Sequence, residues 1–299
     1  MAEAIKNRYE FSILFDVQNG NPNGDPDAGN MPRVDPETGL GLVTDVCIKR
    51  KIRNYVQDVK ESAEGFDIYI KSGVTLNASD QKAVAAVVEG GDLAKVATSD
   101  KAQKQQKEIE LRDFMCRNFY DIRTFGAVMT TFTSNALNCG QVRGPVQIGF
   151  ARSIDPIVRQ EISITRVAIT KDEDAQKKNN EMGRKSIVPY ALYRADGFVS
   201  ANLARRVTRF SEEDLSLLWD AIMNMFENDH SAARGEMAVR KLVIFKHDSE
   251  LGNAPSHKTL GLLSVKKKEG VEVPRSFADY DVNVDEANCP AGVHISCRD

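Results

Sequence analysis

The sequence predicts an α+β fold in the order strand, helix, paired strands, helix, strand, with a helical insertion after the first helix and a β-hairpin inserted in the middle. Three observations predict it. Tyr9, Phe11, Ile13, Phe15 and Val17 share one face at period two, the pattern of a strand with one apolar side. Two stretches, 44–60 and the run opening at Ser211, repeat apolar residues at helical spacing. Between them, runs at 121–130, 145–154, 161–170 and 186–194 are bounded by turn residues and read as strands.

Taken in order, the first strand ends at Asp16 and Gln18, and a turn-rich loop follows over 19–45, longer than compact domains usually carry. Helix 44–60 takes Thr44 or Asp45 as its cap. Its apolar face is Ile48, Ile52, Tyr55, Val56 and Val59, with Lys49, Arg53 and Lys60 along one flank, Arg50 and Gln57 beside them and Lys51 opposite. Residues 61–120 read as an insertion: a short strand at 66–70, then helices at 79–88 and 99–120 separated by Gly90-Gly91. Arg123, Arg143 and Arg152 sit in or beside the two strands at 121–130 and 145–154. The polar stretch 171–185 between strands suggests a protruding hairpin tip, although taken by itself it reads first as a solvated loop. Ser211-Glu-Glu-Asp214 has capping-box spacing, and Leu215, Leu218, Trp219, Ile222, Met223 and Phe226 behind it form a core stripe. A strand at 239–246 and a short edge strand at 292–297 complete the order, which is that of a ferredoxin-like fold. RNA-recognition domains use the same order and present their sheet to nucleotides.

The bulk composition narrows the function classes. With 299 residues, 41% of them hydrophobic and 28% charged, the chain has a globular composition. A net charge of −3 argues against indiscriminate nucleic-acid binding, although the bases are clustered. No apolar run approaches the roughly 18–20 residues of a membrane span, and the first residues lack an apolar signal core. A cytoplasmic protein with no membrane partner is expected. Cys47, Cys116, Cys139, Cys289 and Cys297 are scattered and odd in number, which favours reduced thiols, and neither they nor the four histidines have zinc-site spacing.

For metal-dependent chemistry the candidates are Asp16, Asp25, Asp27 and Asp35, but Asp in such loops usually caps local backbone groups, and Asp-Pro occurs twice here. No phosphate-loop signature or nucleophile elbow is present, and no histidine stands near the basic helix in sequence to act as a base. No catalytic residue, metal site or cofactor is assigned. Binding chemistry has more support. Asn and Gly of the first loop offer N–H donors to phosphate oxygens, and Lys49, Arg50 and Arg53 add charge, contacts that ignore base identity.

Asn19-Gly-Asn-Pro-Asn-Gly-Asp-Pro26, the 45–53 helix, Asp121-Ile-Arg-Thr-Phe-Gly126, Gly144-Pro-Val-Gln-Ile-Gly149 and Arg152-Ser-Ile-Asp-Pro156 together resemble the repeated backbone subunit of type I CRISPR surveillance complexes (Cascade), most closely subtype I-C. The resemblance covers essentially the whole chain. It implies one elaborated domain: a modified ferredoxin-like, RNA-recognition-motif palm of about 1–60, 121–160 and 195–299, helical fingers at about 61–120, and a hairpin thumb at about 161–194. It implies a non-catalytic, antiviral-defence protein that oligomerises along CRISPR RNA. The partners would be the guide, target DNA through guide pairing, copies of itself head to tail, and other Cascade subunits. The implied guide contacts are Asn19, Asn21, Asn23, Gly24, Arg33, Lys49, Arg50, Arg53, Arg123, Gln147 and Arg152. Lys177, Lys178, Met182 and Arg184 would lie on the thumb, with Met182 as the wedge. The alternative is a metal-dependent endoribonuclease of a related RNA-targeting complex, using a loop aspartate such as Asp25 or Asp27.

Overall fold

The computed structural model describes residues 3–61, 63–91, 96, 100–130, 132, 137–167 and 181–299. Its centre is β1 (Tyr9–Gly20), an inner strand of an antiparallel sheet. On one side β1 pairs with β9 (Glu236–His247), which pairs with the edge strand β12 (Val293–Arg298). On the other it pairs with β8 (Glu181–Val199), which continues to β6 (Ala151–Pro156) and then β2 (Leu40–Val43). The sheet order is thus β12-β9-β1-β8-β6-β2, and every neighbouring pair is antiparallel.

Side-chain alternation decides which residues of β1 face which layer. Phe11, Ile13, Phe15 and Val17 point to the face covered by α1 (Asp45–Lys60) and α5 (Glu212–Asn224). Trp219 of α5 meets Phe11 edge-on at 5.1 Å, and Phe15 stacks on Tyr193 at 5.3 Å; such pairs add about 0.5–1.5 kcal/mol each to the burial itself. Gly197 makes room for this packing, because a Cβ there would lie 2.1 Å from the Phe11 ring.

The opposite face carries Leu14, Leu192, Val243 and Phe245 and is roofed by the C-terminal region. The roof is α6 (Ser256–Leu260) with a hairpin of β10 (Leu263–Lys267) and β11 (Tyr280–Val284). This face of the sheet is therefore buried rather than open to nucleotides as in RNA-recognition domains. Buried polar groups hold this roof down: the Glu10 carboxylate is bound by His247, Arg8 and the Thr259 hydroxyl. No strand is expected from sequence between 246 and 292, so the hairpin was missed.

Other expectations need correction too. Residues 121–130 are not one strand. Tyr120–Phe125 forms a helical turn, α4, ended by Gly126 at φ 83°, and only Gly126–Val128 (β3) is extended, paired with β4 (Gln141–Arg143). Every residue of α4 is buried, so the alternation of Ile122 and Thr124 does not report a solvent face. The run 145–154 is interrupted at Gly149-Phe150 into β5 (Val146–Ile148) and β6, where the pairing with β8 slips by one residue. The strand expected at 66–70 is a single bridge from Asp67 to Phe119. Strand β2 lies inside what reads as loop.

The insertion contains α2 (Leu76–Val87) and α3 (Lys101–Asn118), and its buried cluster around Leu111, Met115 and Phe119 takes in residues as far as Val142. In the hairpin, β7 (Gln160–Arg166) pairs with the first half of β8. Lys177 and Lys178 lie outside the described residues. Met182 is 73% exposed, and Arg184 pairs with Glu161 across the hairpin at 3.3 Å. Among the described residues, no helix is long and apolar enough to cross a membrane.

Candidate nucleic-acid interface

The first loop is a folded structure that fixes the start of α1. Thr44 is the N-cap, accepting from the Cys47 N–H at 3.3 Å. The Asn23 side-chain oxygen in turn accepts from the Thr44 N–H at 2.9 Å and its hydroxyl at 3.0 Å. Asn21 is buried, and its side-chain amide donates to the Asn30 carbonyl at 2.7 Å. Gly20 lets the chain pass against the Arg234 carbonyl, where a Cβ would sit 1.7 Å from the oxygen. Asn21 is thus a buried scaffold residue with its amide turned to the loop, which corrects the first expectation for it, whereas Asn23 serves the scaffold through its side-chain oxygen alone. Asn19 is exposed, in the left-handed region at φ 51°. Gly24 packs against Asn30. Burial pushes the Cys47 thiol pKa up beside this loop.

The acids here are engaged by turns and arginines. Asp25 accepts from the Asp27 N–H at 3.2 Å and lies 3.3 Å from Arg33. Asp35 accepts from the Glu37 N–H at 3.1 Å and pairs with Arg152 at 2.9 Å, and that guanidinium holds its pKa below the usual carboxylate value. Asp16 is a strand residue, corrected from the expected turn role, and binds Tyr190 at 3.0 Å and Arg240 at 2.9 Å. Its burial raises its pKa despite both partners. Among the described residues, no three His, Cys, Asp or Glu side chains cluster as a metal site would require.

The bases of α1 separate into two groups. Arg53 is buried, its Nε donating to Asp121 at 2.8 Å, while Asp121 also accepts from the Tyr69 and Ile70 N–H groups. Lys49 is half-buried, tied to Asp45 at 2.9 Å, and lies 5.7 Å from the centre of the Phe125 ring that Arg53 also covers. Lys51 is buried in an ion pair with Asp229. Arg50 alone of this set has no acid partner among the described residues, and with Asn54 and Gln57 it lines a hollow of about 180 Å³. The free polar stripe of the helix is therefore Arg50, Asn54 and Gln57, at i, i+4 and i+7, rather than Lys49, Arg53 and Lys60. The spacing was legible; which stripe was free was not.

Arg123 is withdrawn as a contact. It donates to both Asp214 oxygens at 2.9 and 2.7 Å and to the carbonyls of Cys116, Arg117 and Gly65 at 2.9–3.0 Å, which uses every donor it has. Gln147 and Arg152 are exposed on the strands beside β8, and Asp35 ties Arg152 to the first loop. Arg143, exposed on β4, has no partner among the described residues and is a base the first assignment left out.

Comparison with known families decides what this arrangement belongs to. The model of CRISPR-associated protein Cas7 matches residues 7–285. The chain belongs to the Cas7 family. A CRISPR-associated protein Cas7 from Haloferax volcanii is 28% identical over 298 residues, spanning 94% of this chain and 81% of that one. Among solved structures, chains titled CRISPR RNA-guided surveillance complex, one of them pre-nicking, align at TM-scores of 0.48 and 0.45. Each is 14% identical and covers 80% of this chain, against 78% and 68% of the other chain. Of the expected resemblance, membership of the Cas7 family is thus shown.

Proposed function

We propose that this Cas7-family chain is a non-catalytic backbone subunit that holds CRISPR RNA in a type I surveillance complex of subtype I-C. Copies pack head to tail along the guide, together with other subunits, and leave guide segments to pair with target DNA. The observation that carries this is the continuity of β8: one strand of 19 residues runs from the exposed hairpin into the middle of the sheet beside β1. A hairpin built this way is held by the core and can cross a strand of RNA without an ordering cost in its base.

The strand order around β1 supports a modified ferredoxin-like palm over about 1–60, 121–160 and 195–299, with 61–120 as fingers and 161–194 as thumb. In this reading the phosphates run over Arg50, Asn54 and Gln57 and past Arg33 and Arg152, while Met182 is the thumb's apolar wedge. Charge contacts of this kind accept any sequence, so identity is read by base pairing alone. The test is binding of unrelated single-stranded RNAs. Arg50→Ala should weaken all of them alike, and a sequence-dependent or absent effect would reject the track.

A further inference from the structure

A second cleft lies on the other side of the insertion, between α3 and the segment leading into α5. It encloses about 530 Å³, within the range of small-ligand sites. Arg112 and Arg117 line it from α3, and Arg206 and Arg209 from the facing segment. None of these four has an acid partner among the described residues, although ion pairs elsewhere are frequent. Of the acids on the lining, Asp214 is answered by Arg123 at 2.7 Å and Glu213 by Lys60 at 3.6 Å, which leaves Asp113 against the four arginines. The cleft therefore keeps an excess of positive charge.

The wall carrying Arg206 is irregular in a way the core does not require. Residues Ala204–Thr208 form a π-helical turn, a geometry concentrated at functional sites. Arg209 follows at φ 62°, a left-handed conformation unfavourable for a long side chain. Thr208 lines the cleft at 1% exposure, and its hydroxyl has no hydrogen-bond partner among the described residues. A buried hydroxyl without a partner ordinarily destabilises the fold, so its retention points to a ligand. Phe66 adds an aromatic surface on the same lining, with the Lys60 ammonium 4.2 Å from its ring centre.

We propose that this cleft binds one nucleotide unit, its phosphate held by Arg112, Arg206 and the Thr208 hydroxyl and its base laid against Phe66. Arginine matches phosphate through forked donors, and an aromatic face accepts any base. The site is separate from the Arg50 stripe of α1 and does not require that stripe to bind RNA. The ligand is either a free nucleotide or one nucleotide of a passing strand.

The test uses the full chain and compares the R112Q/R206Q double variant with wild type, with Arg50→Ala measured in parallel. Binding of a labelled single-stranded pentanucleotide is followed by anisotropy, with AMP and inorganic phosphate as competitors. The double variant should bind the pentanucleotide about tenfold more weakly, and the slope of log affinity on log salt should fall by about 1.4, or 0.7 for each phosphate-facing charge. Its thermal midpoint should be unchanged. Competition by AMP at concentrations where phosphate fails would identify a free nucleotide, and binding of the pentanucleotide only would identify a strand. Affinity and slope equal to wild type would overturn the proposal, whatever Arg50→Ala does. Equal competition by phosphate and AMP, with no effect of Phe66→Leu, would reduce the site to a plain anion site and overturn the nucleotide assignment.

Discussion

Arg53 separates a structural role from a binding role more sharply than any other position. In Arg53→Met the apolar stem is kept and the Nε donor to Asp121 is lost. Breaking a buried pair by removing one partner costs about 3–5 kcal/mol. Here Asp121 keeps the backbone donors of Tyr69 and Ile70 at 2.8 and 3.1 Å, which lowers the expectation to about 2–4 kcal/mol. Loss of the guanidinium from the Phe125 ring, 5.2 Å away, acts in the same direction. For a chain of this size each kcal/mol moves the midpoint by about 2 °C, so thermal unfolding followed by circular dichroism should show a fall of about 4–8 °C. RNA affinity, measured well below that midpoint, should stay within about twofold of wild type, since burial beside Asp121 keeps this guanidinium out of a phosphate's reach. An unchanged midpoint with lost RNA binding would refute this reasoning and return Arg53 to the interface.

Arg50→Ala should show the reverse: a midpoint within about 1 °C of wild type, because surface changes rarely exceed about 0.5 kcal/mol, and a salt slope reduced by about 0.7 in RNA titrations. Asp35→Asn frees Arg152 and removes a negative charge from the track, so RNA affinity at low salt should rise about two- to threefold, and the gain should fade as salt increases. The same pair sets a pH dependence. The folded-state pKa of Asp35 is lowered, so its contribution is present above the ordinary value of 3.8 and is lost as pH falls through the lowered one. The acid limb of the stability curve should therefore flatten in Asp35→Asn below about pH 4. Asn23→Ala removes two bonds to Thr44 and should cost about 1–2 kcal/mol in denaturant unfolding, with RNA affinity retained.

What could be read from sequence was whatever one local period determines. Ile48, Ile52 and Val56 recur at helical spacing because one side of α1 meets the sheet and the other meets solvent. The Ser211-Asp214 capping box was legible for the same reason, since both partners lie within one turn. The pattern failed where burial is complete. In α4 every side is covered, so Ile122, Thr124 and Gly126 imitate a strand, and only the contacts show a helical turn. It also failed for charges, whose roles depend on partners remote in sequence. Arg53 is answered by Asp121, 68 positions away, and Arg123 by Asp214, 91 positions away. Nothing near either arginine distinguishes it from the unpaired Arg50. The β10–β11 roof stayed hidden because its strands are short and half-polar, and the Arg112–Arg206 cleft because its walls come from α3 and from a segment far along the chain that leads into α5.

The central claim is a subunit that polymerises along RNA and leaves it intact. Native mass spectrometry of the full chain on single-stranded RNAs of stepwise increasing length, in Mg²⁺, tests it most directly. The backbone role predicts one further copy of the chain for each fixed increment of length, with every RNA recovered at its starting mass. A single copy whatever the length, or RNA cut at regular spacing and spared by Asp25→Asn, would contradict it.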